Sequence, residues 1–138
     1  MVHIKDDGVF DAPVDKIWRF LQDDNHHHKS IKSSKVTEQT QSSMTMQAER
    51  VNADGSTYME TIKFNFSPPK AFTMEWIDGP MKGSKNTHTY TSMGNKTKVE
   101  VEGEFVAKGM DEKALRSAVL ATLAEVFDED NTQLKSFK

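Results

Sequence analysis

The chain has 138 residues, 36% of them apolar and 28% charged, with a formal net charge of −3 and no cysteine. This is the size and composition of one folded unit over residues 1–138, in which roughly two thirds of the unfolded chain's surface is buried. No apolar run approaches the ~18–20 residues of a membrane span, Met1-Val2-His3-Ile4-Lys5 does not begin a secretory leader, and without thiols there is no disulfide framework, cysteine nucleophile or thiolate metal site.

Val2 to Phe10 reads as a short strand. Asp11-Ala12-Pro13 then punctuates the chain, and Pro13 suits the first position of a helix. Val14, Ile17, Trp18 and Leu21 share one helical face, which predicts an amphipathic helix of about ten residues ending near Asp23. Asp24 to Ile31, with three histidines, reads as a second short helix or turn at the surface.

From Ser33 the period changes to two and holds for about seventy residues. Met44, Met46, Ala48 and Arg50 lie on one face of a strand, and Asn52-Ala53-Asp54-Gly55-Ser56 forms a hairpin loop. Tyr58, Glu60, Ile62, Phe64 and Phe66 share a face of the next strand, which Pro68-Pro69 ends because proline cannot continue a ladder. Phe72, Met74 and Trp76 follow with the same period, and Asp78-Gly79-Pro80 turns the chain again.

Gly94-Asn95 is a two-residue hairpin signal. It pairs Met93 with Lys96, Ser92 with Thr97, Tyr90 with Val99 and His88 with Val101. Cross-strand partners share a face, so His88 and Tyr90 stand beside Val99, Val101 and Phe105, while Lys98, Glu100, Glu102 and Glu104 face water.

Gly109 breaks the strand pattern, and Asp111 is an N-cap candidate for a final helix. Leu115, Val119, Leu123 and Val126 form its apolar stripe, with Thr122 inside the stripe and Phe137 returning to it. Running to the chain end, the helix would be about 40 Å long. Asp128-Glu129-Asp130 opposes the helix dipole there and predicts a kink or an early end.

Strand, short helix, second short helix, antiparallel strands and long C-terminal helix, in this order, resemble the START-like superfamily, also called SRPBCC. It includes polyketide cyclases, lipid-transfer domains and the birch-pollen allergen. Phe10-Asp11-Ala12-Pro13-Val14-Asp15-Lys16-Ile17-Trp18 is similar to the family's opening strand and proline-started helix. His28-Lys29-Ser30-Ile31-Lys32-Ser33-Ser34-Lys35-Val36 is similar to the entry into the second strand, and Asn131 to Phe137 to the close of the last helix. The resemblance implies an α+β helix-grip fold: a curved seven-stranded antiparallel sheet wrapped around the last helix, two short helices between strands 1 and 2, and a cavity between sheet and helix. These signatures are structural; none matches a catalytic motif of a family enzyme.

Projected onto the inner face, the registers give a candidate ligand-binding set. The sheet supplies Met44, Met46, Tyr58, Ile62, Phe64, Met74, Trp76, Tyr90, Val99, Val101 and Phe105; the helix supplies Leu115, Val119, Thr122, Leu123 and Val126. Arg50, Glu60, Asn86 and His88 are the polar residues on that face, where a few convergent polar groups orient a ligand. The turns set Phe64 and Met74 level with His88, which separates Glu60 from His88 by roughly 16 Å, too far for a dyad unless a bulge shifts the register. The expected ligand row is Met74, His88 and Val101, flanked by Trp76 and Tyr90.

His26-His27-His28 has poor spacing for a metal, because consecutive residues point in different directions. No cofactor motif, Gly-rich phosphate loop or Gly-x-Ser-x-Gly elbow is present. Lys29, Lys32 and Lys35 carry no aromatic run of the kind that tracks nucleic acid. The expected function is binding or transport of a hydrophobic small molecule, such as a lipid, an isoprenoid or an aromatic polyketide-like compound, in the cytoplasm. The alternatives are a cyclase or dehydratase using Glu60, His88 or Tyr90 for proton transfer, and an interaction module of the chaperone-activator kind.

Overall fold

Alternating side chains over most of the chain, bounded by turns, form seven strands. The computed structural model describes residues 1–23, 28–52 and 54–137. The strands are β1 (Val2–Phe10), β2 (Ile31–Gln39), β3 (Ser43–Val51), β4 (Thr57–Ser67), β5 (Ala71–Asp78), β6 (Lys85–Met93) and β7 (Lys96–Phe105); the helices are α1 (Val14–Leu21) and α2 (Glu112–Leu134). They make one sheet in the order β1-β7-β6-β5-β4-β3-β2, with every neighbouring pair antiparallel. This is the expected helix-grip α+β fold. Among the described residues no helix is long and apolar enough to cross a membrane.

The Gly94-Asn95 turn sets the predicted register, with Tyr90 opposite Val99 and His88 opposite Val101. A second short helix is not seen where it can be examined: residues 24–27 lie outside the described residues, and Lys29 and Ser30 form a turn. Ile31 is already in β2, because its ladder with β3 begins opposite Arg50 and Val51 N–H donates to Ser30 O at 2.9 Å. α1 is shorter than expected, with Pro13 at its N-cap and Gln22 at its C-cap.

Two buried clusters lie along the concave face. Phe10, Ile17, Trp18, Phe20, Tyr90, Val99, Val101 and Leu134 pack at the end covered by α1. Val2, Ile4, Ile62, Trp76, Phe105, Leu115 and Val119 pack at the other. Leu123 touches both. α2 lies closest to β1, and glycine permits this approach: a Cβ on Gly8 would stand 2.6 Å from the Phe127 ring. On β7, a Cβ on Gly103 would meet Lys85 O at 2.2 Å and Asn86 Cα at 2.6 Å, so no side chain fits where β6 presses on β7.

Asp111 caps α2 as predicted, its side chain accepting from Ala114 N–H at 2.7 Å. The helix then runs unbroken through Asp128-Glu129-Asp130, against the expected kink. These carboxylates have partners: Glu129 accepts from Lys29 N–H at 3.0 Å and lies 3.3 Å from His28 Nδ1, and Asp130 lies 3.7 Å from His28 Nε2. Phe137 folds back on Phe20, with ring centroids 5.5 Å apart.

The α2 stripe holds the second cluster together, so Leu115→Ala should cost about 2–5 kcal/mol, read as a lowered urea midpoint at unchanged slope. Ending the chain before Asp111 should abolish the cooperative thermal transition; a sharp transition in that fragment would refute the role given to α2.

Candidate functional site

Between the fully buried side chains of the two clusters lies a stretch of the concave face that is less deeply buried. Met44, Met46, Phe64, Phe66, Phe72 and Met74 on β3, β4 and β5, and Leu123 and Val126 on α2, are only half-buried. Apolar side chains left partly accessible on the inner face of a sheet are the ones available to contact a guest.

The ladders define what shares this stretch. Phe66 pairs with Phe72 and Phe64 with Met74. Phe72 then pairs with His88, and Met74 with Asn86. This corrects the expected row: His88 is level with Phe72 and Val101, while Met74 is level with Asn86 and Gly103. The loop over residues 79–84 causes the difference. Ser84 is tied across the sheet, its Oγ donating to Val106 O and accepting from Val106 N–H, both at 2.9 Å. Its carbonyl accepts from Trp76 N–H at 2.9 Å. A two-residue turn dictates a register, whereas a longer loop follows its anchors.

The corrected register moves Glu60 further from His88, to roughly 22 Å by strand rise and spacing. Glu60 belongs to a separate buried group. It accepts from Arg50 Nε at 2.6 Å and from Trp76 Nε1 at 3.1 Å, and Arg50 Nη1 reaches Ser30 Oγ at 3.2 Å. Tyr58, across the ladder from Arg50, has its phenol pushed up by burial and then by the Glu60 charge. Both carboxylate oxygens of Glu60 are thus engaged.

At the centre of the face the situation is the reverse. Asn86, only 4% exposed, has a buried Oδ1, and His88 a buried Nε2, with no hydrogen-bond partner among the described residues. The His88 ring stacks on Phe72, with centroids 4.5 Å apart and planes 10° apart. Burial pushes its pKa down to about 4, so the imidazole is neutral at pH 7. Burial and then the Asp130 carboxylate hold Tyr90 above the ordinary phenol range.

The sequence-derived candidates therefore separate. Phe64, Met74 and Leu123 pack against the second cluster, His88 stacks on Phe72, and Met44 and Met46 are half-buried on β3. Ile62, Trp76, Leu115 and Val119 are in one closed cluster, and Tyr90, Val99 and Val101 in the other. Phe105 is buried with Trp76. Tyr58 and Glu60 stand with Arg50, and Thr122 is exposed, one residue round the helix from Leu123. His26 and His27 lie outside the described residues, while His28 faces the carboxylates of α2.

Three contributors escaped the sequence reading. Trp18 is more than an α1 core residue: its Nε1–H donates to Pro69 O at 2.9 Å, and its ring lies 5.5 Å from Tyr90 and 6.3 Å from Phe72. Phe72 takes the place assigned to Met74. Asp6 pairs with Val101 and so extends the His88 row onto β1; extending the Val2, Ile4 alternation would have found it. Two open depressions lie elsewhere, one of about 310 Å³ on the convex face between Lys5, Thr87, Thr89, Glu100 and Glu102, and one beside Met59 and Asp78.

The lowered His88 pKa has a measurable sign. The unfolded chain takes up this proton near pH 6.5 and the folded one only near 4. Stability should therefore fall as pH drops from 6.5 to 4, by up to about 3 kcal/mol in all. His88→Phe, which keeps a ring against Phe72, should flatten that part of the pH–stability curve; an unchanged slope would contradict the buried neutral imidazole.

Solved structures share the fold at low sequence identity. The Zhui aromatase/cyclase from Streptomyces sp. R1128 superposes with a TM-score of 0.83 at 11% identity, over 96% of this chain and 93% of that one. A START superfamily protein from Mycobacterium smegmatis gives 0.84 at 9% identity, over 99% of each chain. Ara h 8.0201 gives 0.73 at 13% identity, over 97% of each. No curated protein sequence matches the chain. A family model described as polyketide cyclase / dehydrase and lipid transport matches residues 1–136, and the chain belongs to that family.

Proposed function

We propose that the protein binds or carries a hydrophobic small molecule, a lipid, an isoprenoid or an aromatic polyketide-like compound, at the half-buried stretch between its two cores. One observation carries the reading: half-buried Phe64, Phe72 and Met74 share the inner face with two buried polar atoms that have no hydrogen-bond partner among the described residues. An unsatisfied buried polar atom costs about 1–3 kcal/mol, and a guest or ordered water that meets it recovers that cost. The family description, which includes lipid transport, agrees with this use.

A cyclase or dehydratase is the second reading, and His88 is the observation in its favour. A neutral imidazole whose Nε2 has no hydrogen-bond partner among the described residues can move a proton to or from a held ligand. Tyr90 is less suited to act as a base, since its environment favours the protonated phenol. Glu60 is already committed to Arg50 and Trp76.

Trp18 is the reporter for binding, because it touches the aromatic wall that holds Phe72 and Tyr90. Titration with fatty acids, isoprenoids and flat aromatics should give a saturable change in its emission for at least one class. Leu123→Phe, which adds bulk to that stretch, should weaken that binding at least tenfold. Native mass spectrometry of protein purified from its own cells should find a co-purifying small molecule. Silence across the panel, with no such molecule, would reject the reading.

A further inference from the structure

Resting on this reading, we propose that the site selects a guest with a neutral hydroxyl head, an alcohol or a phenol, and rejects a carboxylate. Asn86 and His88 are two apart on β6 and share its inner face, so their side chains stand about 6.6 Å apart along the strand. Asn86 Oδ1 is an acceptor and calls for a donor; neutral His88 offers a single donor or acceptor at Nε2. A hydroxyl has one proton, which it can donate to Asn86 Oδ1. A carboxylate cannot donate.

Charge acts in the same direction. The ladders place Phe66, Phe72, Val101 and Asp6 in the row of His88, and Phe64, Met74, Gly103 and Ile4 in the row of Asn86. The one charged residue among these eight is Asp6, and its charge is negative. The inner-face guanidinium of Arg50 is at the far end of β3, paired with Glu60. A carboxylate head would therefore surrender its hydration without meeting a cation, which is costly in an apolar site. A hydroxyl gives up far less.

Three probes of matched shape test this in the unmodified protein at pH 7.5, by titration calorimetry: 2-naphthol, naphthalene-2-carboxylate and 2-methylnaphthalene. 2-Naphthol should bind at least tenfold more tightly than either of the others. Asn86→Leu should reduce its advantage over 2-methylnaphthalene to within about twofold. Carboxylate binding equal to or tighter than that of 2-naphthol, or equal binding of naphthol and methylnaphthalene, would overturn the hydroxyl selection while leaving the ligand site in place. If none of the three binds, the ligand site itself falls and the selection with it.

Discussion

One helix has to cover the concave face of seven strands, and it is too narrow to do so. A helix with its side chains is about 10–12 Å across, whereas six inter-strand spacings of about 4.8 Å make a sheet roughly 29 Å wide. α2 takes the β1 side, held there by the fit of Phe127 over Gly8, and α1 packs over β6 and β7. The inner residues of β1, β6 and β7 are largely buried as a result, those of β3 to β5 are largely half-buried, and β2 is almost wholly exposed. The half-buried stretch over β3 to β5 is what this coverage leaves over, and it is placed by the width of one helix more than by any single side chain.

Within that geometry the polar residues of the inner face have two fates. Arg50, Glu60, Trp76 and Ser30 satisfy one another at one end of the face. Removing one member of such a buried pair is expensive, typically about 3–5 kcal/mol, because the other charge is stranded. Asn86 Oδ1 and His88 Nε2 have no such closure among the described residues. Evolved cores pair their buried polar groups almost without exception. An unpaired couple beside half-buried apolar side chains is the feature on which the proposed ligand binding rests.

The structural relatives agree in backbone while sharing 9–13% of their residues with this chain. That pattern follows from the coverage problem: any sequence that alternates through the strands and stripes the last helix solves it. The chemistry of the concave face is set by its inner-face residues, which the architecture leaves free to vary. For this chain they are rich in phenylalanine and methionine. Methionine fills irregular space and re-packs readily, which suits a wall that meets a guest on one side.

The sequence by itself determined what local chemistry can specify. Strand alternation, the Gly94-Asn95 hairpin with its register, the proline entry to α1 and the Asp111 cap of α2 depend on residues within a few positions of one another, and each is found where it was read, except that Pro13 is the N-cap of α1 and not its first helical residue. The tertiary structure alone decided whatever depends on contacts distant in the chain. The β5–β6 register is anchored by Ser84 to Val106, which brings His88 to Phe72 in place of Met74. The indole of Trp18 reaches Pro69, and the acidic end of α2 is offset by His28 and Lys29. Alternation could assign Glu60, Asn86 and His88 to the inner face, but not say which would find a partner. That depends on the exact distance between side chains on different strands, and a period of two contains no such information.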